Sequence, residues 1–227
     1  YGCDSIAYID LTILLNYGCT DSSAINYDPF AITDNGSCCF VMFNQIGQDI
    51  DGQNNYDFSG QSVAINNNGS IVAIGAHHSN SNGYNSGNVR VFENINGTWT
   101  QLGQDINGEN LYDYSGEAIS ISANGLIIAI GAWGSNDNGP NSGHVRIYEY
   151  SSGSWNQIGQ DISGESTYDQ SGSSICLDET GARIAIGAMS NDDNGSSSGH
   201  VRVYENISGY WFQIGQDIDG ESIGDAS

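Results

Sequence analysis

Ala73-Ile74-Gly75-Ala76 returns as Ala129-Ile130-Gly131-Ala132 and again as Ala185-Ile186-Gly187-Ala188, each copy 56 residues after the last. A fixed period of this size marks one supersecondary unit copied in tandem, and it decides the architecture before any local reading. Each copy follows a turn containing Gly and precedes a polar, Asn-rich loop and a Val-Arg strand. Gly and Ala here expect close approach of a neighbouring sheet, so the motif itself reads as scaffold.

Outward from the middle motif, 117–122 alternates, with Ile119 and Ile121 on one side and Ala118, Ser120 and Ser122 on the other, the period of a half-buried strand. Asn124-Gly125 is a hairpin signal, since both residues tolerate positive φ. Residues 126–130 are continuously apolar, as in a strand covered on both faces. The loop 133–143 leads to a strand at 144–150. Ser152-Gly153 turns the chain into a strand expected over 155–162, and the loop 163–172 leads into the next copy. Four antiparallel strands joined short-long-short-long make a meander and fit a β-propeller blade.

The expected fold is therefore all-β. Tandem four-stranded blades occupy 41–227, with full copies at 45–100, 101–156 and 157–212 and a fragment at 213–227. A small disulfide-rich segment, 1–40, precedes them. The chain opens on Tyr1 and stops inside the fourth copy, so both ends look cut from something longer. Closed propellers use about 4–8 blades, so the reading expects an open, curved array with unpaired outer edges. The remaining blades of a parent chain are among its expected partners.

Four basic residues against 27 acidic ones give a formal charge of −23, and none of the four is lysine. Such a surface repels phosphate backbones, so neither nucleic acid nor anionic membrane is an expected partner. It suits cations, and equally it keeps a β-rich surface soluble. The apolar stretch at Leu11–Leu15 is far shorter than the about 18 residues of a membrane span.

Cys3, Cys19, Cys38 and Cys39 crowd the first 39 residues, a density that reads as disulfide stapling in an oxidising compartment. Four cysteines allow three connectivities. Cys19 with Cys38 is the preferred pair, because the two bracket one compact unit. Cys3 is left to pair with Cys39 or with a cysteine upstream. The bracketed run, with Gly18-Cys19-Thr20-Asp21, Asn26-Tyr27-Asp28-Pro29 and Asp34-Asn35-Gly36-Ser37-Cys38, resembles short Cys-bounded modules of secreted, multidomain proteins of Bacteroidetes-type bacteria. Asp21, Asn26, Asp28, Asp34 and Asn35 supply the hard oxygen atoms that Ca²⁺ takes, and they suit Asx turns around a disulfide as well. Cys176 stands where the other copies have Ala64 and Ser120, which expects a small, buried thiol.

The block Phe58-Ser59-Gly60, Ile71-Val72-Ala73-Ile74-Gly75-Ala76 and Gly87-Asn88-Val89-Arg90-Val91-Phe92 resembles an FG-GAP repeat, the blade of integrin α-chain propellers, and so do both later copies. The resemblance implies a Ca²⁺ loop between the first two strands. Here that place holds Asn66–Gly69, Ser122–Gly125 and Asp178–Gly181, too short and too poor in carboxylates for the site.

Arg90, Arg146 and Arg202 share one repeat position, which suggests a structural ion pair with the Asp57, Asp113 and Asp169 series or the Asp49, Asp105 and Asp161 series. Trp99, Trp155 and Trp211 suggest packing between blades, with stacking on a sugar as the alternative. In a meander both long loops share one end of the blade. That end collects His77, Asn82, Trp133, Asp137, Asn138, Asp192 and Asp193, the candidate ligand-binding residues. Trp133 and His77 stand out because the three copies differ there. No catalytic constellation is legible. The expected function is extracellular or cell-surface recognition of a glycan or protein through the long-loop face. The alternatives are a polysaccharide-active lyase or hydrolase and a plain structural spacer.

Overall fold

A computed structural model describes residues 16–40 and 44–226. The chain divides into two compact units, Tyr1–Gln45 and Ile46–Ser227. In the first, β1 (Tyr17–Gly18) pairs parallel with β2 (Thr33–Asp34), and a disulfide joins Cys19 to Cys38. Cys3 and Leu11–Leu15 lie outside the described residues. Each described acid of this module holds a turn of its own. Asp21, Asp28 and Asp34 accept from the backbone N–H of Ser23, Phe30 and Gly36, two residues on. Asn26 bridges to Ser37 and Cys39.

The second unit is three antiparallel sheets, each of four strands in sequential order with a short fifth beside the third, the blades that the period predicts. The first blade comprises β3 (Ser62–Ile65), β4 (Ile71–Ala76), β5 (Asn88–Ile95) and β6 (Thr98–Gln101), with β7 (Ile106–Asn107) beside the start of β5. The second comprises β8 (Ala118–Ile121), β9 (Ile127–Ala132), β10 (His144–Ser151), β11 (Ser154–Gln157) and the short β12 (Ile162–Ser163). The third comprises β13 (Ser171–Leu177), β14 (Arg183–Ala188), β15 (His200–Ile207), β16 (Tyr210–Gln213) and β17 (Ile218–Asp219).

Two local expectations change. The strand expected over 155–162 is broken into β11 and β12, because Gly159 takes φ 78° where the ring of Trp211 crosses it. The turn at Asn124-Gly125 is a four-residue loop in which Gly125 has positive φ and Asn124 does not. The two-residue turn with both φ positive is Ser152-Gly153, and it recurs at Asn96-Gly97 and Ser208-Gly209.

Two apolar cores lie between blades. Ile71, Ala73, Val89 and Val91 of the first blade meet Ile128, Ile130 and Trp155 of the second. Ala129, Val145 and Ile147 meet Leu177, Ile184, Ile186, Tyr204 and Trp211 of the third. A recurring latch reinforces each seam. The indole Nε1 of Trp155 donates to the Leu102 carbonyl at 2.7 Å, and the Gln104 side chain exchanges two hydrogen bonds with the Trp155 backbone. Gln160 and Ile158 treat Trp211 the same way, and Gln48 and Ile46 treat Trp99. The recurrent tryptophans are therefore structural.

The two terminal blades each keep one open face. Val63 and Ile65 are 64% and 59% exposed, whereas their counterparts Ile119, Ile121, Ile175 and Leu177 are covered. At the other end Cys176 is exposed, contrary to the buried thiol expected. Its counterpart Ser120 is covered by the following blade, where Leu177 donates to its hydroxyl, and no blade among the described residues covers Cys176 in turn. The openings are thus sheet faces as well as strand edges, since β3, β6, β13 and β16 each end their sheet.

Candidate functional site

The long loops between the second and third strands fold by a repeated set of side-chain bonds. Asn80, Asn136 and Asp192 accept from the backbone N–H five residues on, and Asn82, Asn138 and Asn194 donate to the carbonyls of Gly108, Gly164 and Gly220. These ties fasten each long loop to the link that leads to the next blade. Of the candidate ligand residues, Asn82, Asn138 and Asp192 therefore have a structural task. Asp57, Asp113 and Asp169 are buried in the links; Asp113 and Asp169 accept from the backbone N–H of Asn110 and Ser166. Burial pushes the Asp113 carboxyl above the usual range, against the hydrogen bond from Asn110.

Between the first two long loops lies a cleft of about 570 Å³ lined by Asn82, Glu109, Asn110, Leu111, Asp113, Asn136 and Asp137. Two of its lining carboxylates, Asp137 and Glu109, are tied to groups behind them. His144 Nδ1 meets Asp137 Oδ2 at 2.8 Å, and this hydrogen bond holds the Asp137 carboxyl down to about 2 despite partial burial. Arg146 makes the expected clamp, with Nε and Nη2 on the two oxygens of Asp161 at 2.9 and 2.6 Å and Nη2 also on Glu109 at 2.8 Å. Burial pulls the Arg146 pKa down, but these carboxylates outweigh it and the net shift is upward.

The ion pair changes from copy to copy. Arg202 reaches Glu165 at 3.1 Å and the Ser163 carbonyl. Arg90 donates instead to the Asp51 carbonyl at 2.7 Å and to Ser59, because the counterpart of Glu109 is the neutral Gln53, which itself donates to Asp105. None of the pairs uses the Asp57, Asp113 and Asp169 series.

A run of rings passes through Tyr112, which lies in the chain between Leu111 and Asp113 of the cleft. Tyr84 packs edge-on to Tyr112 at 5.5 Å, Tyr112 meets Tyr114 at 6.4 Å, and Tyr114 stacks on Trp133 at 4.8 Å with planes 1° apart. His78 joins Tyr114 to Phe58, with centroids at 5.6 and 4.8 Å, and His77 packs against His78. His77 Nε2 lies 3.2 Å from Glu117, and burial lowers its pKa against the pull of that carboxylate, so the imidazole is neutral at pH 7. Two sequence candidates, His77 and Trp133, thus belong to one ledge, with Tyr114 as the ring between them.

Two His and carboxylate groups are close enough to share a cation: Asp137, His144 and Asp161 in the second blade, and Glu165, Asp193, His200 and Asp217 in the third. Asp137 and Asp193 were legible as ligand candidates, whereas His144 and His200 read only as polar pairing groups of a strand, a role His144 fills with Asp137. The signal was present within the repeat. Where the first copy has Ser81 and Asn88, both later copies have Asp and His together. Among the described residues, Asp21, Asp28 and Asp34 form no such group.

No family model and no curated protein matches the chain, so the FG-GAP likeness is one of pattern. Solved structures are similar to it, two of them as follows. One is described as a 6-phosphogluconolactonase from Bacteroides uniformis, at 13% identity and TM-score 0.48, covering 71% of this chain and 41% of that one. The other is a periplasmic gluconolactonase from Pseudomonas aeruginosa, at 18% identity and TM-score 0.45, covering 70% and 39%. The chain spans about two fifths of the length of each.

Proposed function

We propose that this is a secreted or cell-surface propeller protein that recognises a saccharide through the long-loop face of its first two blades. One observation carries the reading: the ring run from Tyr84 to Trp133 and Phe58 is built, Tyr112 apart, from positions where the copies differ, and Tyr112 lies between Leu111 and Asp113 of the acid-lined cleft. Structural positions repeat in every blade, whereas His77 and Trp133 are matched in the third by Met189, and Phe58 and Tyr114 by Gln170. Aromatic faces stack on the apolar faces of sugar rings, and carboxylates accept from their hydroxyls. The Cys19–Cys38 disulfide supports a location outside the reducing cytosol. The FG-GAP-like pattern supports a recognition role. Among the described residues no helix is long and apolar enough to cross a membrane.

A glycan array probed with the intact protein tests the reading. Hits that weaken in Trp133→Ala support it, and an array without hits at high protein concentration overturns it. Turnover of a polysaccharide in the same screen would instead favour a lyase or hydrolase, with the His77–Glu117 pair as its acid–base candidate. Ca²⁺ is a separate proposal for the cysteine module. Chelation that shifts the melting temperature of that module supports it, and no shift refutes it.

A further inference from the structure

We propose that Glu165, Asp193, His200 and Asp217 form a binding site for a first-row divalent cation of the zinc or manganese kind. The four donor atoms all lie within 4.8 Å of one another. Acidic clusters are common on a chain of this charge, and His200 sets this one apart. Its side chain is fully buried, and neither ring nitrogen has a hydrogen-bond partner. Leaving a buried polar group without a partner is unfavourable, and here two such atoms share one ring. Nδ1 faces the carboxylates, 3.8 Å from Asp193 and 3.7 Å from Asp217.

Those distances separate two kinds of contact. A hydrogen bond to a carboxylate needs about 2.7–3.2 Å, which is what the equivalent His144 achieves with Asp137 at 2.8 Å. Two donors each about 2.0–2.2 Å from a tetrahedral cation stand about 3.3–3.6 Å apart. The second blade is therefore closed by its own hydrogen bond, and the third is spaced close to what a shared ion requires.

The remaining oxygens are suitably free. Glu165 meets Arg202 through Oε1, leaving Oε2, and Asp217 takes the Gln213 amide on Oδ1, leaving the Oδ2 that faces His200. Three carboxylates and Arg202 leave two negative charges for a divalent ion to neutralise. An imidazole among the donors favours a first-row metal over Ca²⁺ or Mg²⁺, which take oxygen.

Calorimetric titration with Zn²⁺ and Mn²⁺, and Co²⁺ as a visible-absorption probe, tests this on the whole chain. The expected result is one site whose affinity falls at least 100-fold in His200→Asn. Asn occupies the same position at Asn88, so the blade tolerates it; Asp193→Ser, matching Ser81, is the second variant should the first unfold. Glu205→Gln, which removes one carboxylate elsewhere, leaves the affinity unchanged. No binding by the unmodified protein, or binding that survives both site variants, overturns the proposal. So does a site that takes Ca²⁺ alone.

Discussion

A Cβ on Gly131 would stand 2.1 Å from the Gly172 carbonyl oxygen, one blade further on and far inside van der Waals contact. Gly75 meets Gly116 in the same way, so the repeated glycine exists because backbone passes directly over it. The obstacle is a main-chain carbonyl, which no rotamer change can move. Gly131→Ala is expected to destabilise by about 3 kcal/mol, the upper end of overpacking penalties. At Gly187 the nearest obstacle is the Ser174 hydroxyl, which rotates away. Gly187→Ala should cost less than half as much, and urea denaturation of the two variants measures the contrast.

The latch offers a second internal comparison. Gln160 holds the Trp211 backbone with two hydrogen bonds, and its loss should cost about 1–3 kcal/mol by leaving partly buried groups unpaired. Gln216 occupies the same position in the fragment of a fourth copy, where no ring stands over Gly215. Gln216→Ala is expected to be neutral. Equal effects in thermal melts would refute the latch.

The blade order, the two loop ends and the role of the motif were legible because they rest on backbone sterics and periodicity, which repeat identically. The preferred disulfide was legible too, from the compact unit it brackets. Cys176 misled because burial belongs to the stack: an Ala64-like position is covered only where another sheet lies on it. The turn at Ser152-Gly153 was legible, whereas Asn124-Gly125 turns by a different device, because Asn68 and Asn124 act through side-chain acceptance and not through positive φ. The ledge was half legible. His77 and Trp133 break the repeat visibly, but Tyr114 reaches them from the preceding link, a juxtaposition that only the packing of successive blades creates.

Opposite carboxyl shifts give opposite pH dependence. The Asp137 carboxyl sits at about 2, below its usual 3.8, through the His144 hydrogen bond. Its contribution to stability is therefore complete above about pH 4 and is lost as the pH falls towards 2. Asp113 is raised by burial, so its contribution is present in acid and is lost as the pH rises. Asp137→Asn should flatten the acid limb of stability, and Asp113→Asn should cost less at pH 7 than at pH 4. Urea midpoints between pH 2.5 and 7 measure both.

If the ledge binds a sugar, its rings act unequally. Trp133 holds Tyr114 face to face, so Trp133→Ala removes both its own surface and the support of a second ring. A loss of at least 10-fold in affinity is expected. Tyr168→Ala, in the third blade away from this run, should change nothing. Titration of any array hit by calorimetry decides between these outcomes.

The open face of the third blade gives the sharpest test of the stack. Val203 is the counterpart of Val91 and Ile147, which are fully buried, yet it lines a shallow apolar hollow of about 260 Å³ with Cys176, Leu177 and Ala185. Ile147→Asp places a charge without a partner in the core between blades, and loss of the fold is expected. Val203→Asp makes the same chemical change where water reaches, so the fold survives. It should also weaken concentration-dependent association, read by sedimentation velocity, because exposed apolar faces drive it. The thiol of Cys176 on the same face should label fully in the native state, with peptide mapping to separate it from the exposed Cys39. A Cys176 that labels only after denaturation would mean that this face is covered in solution.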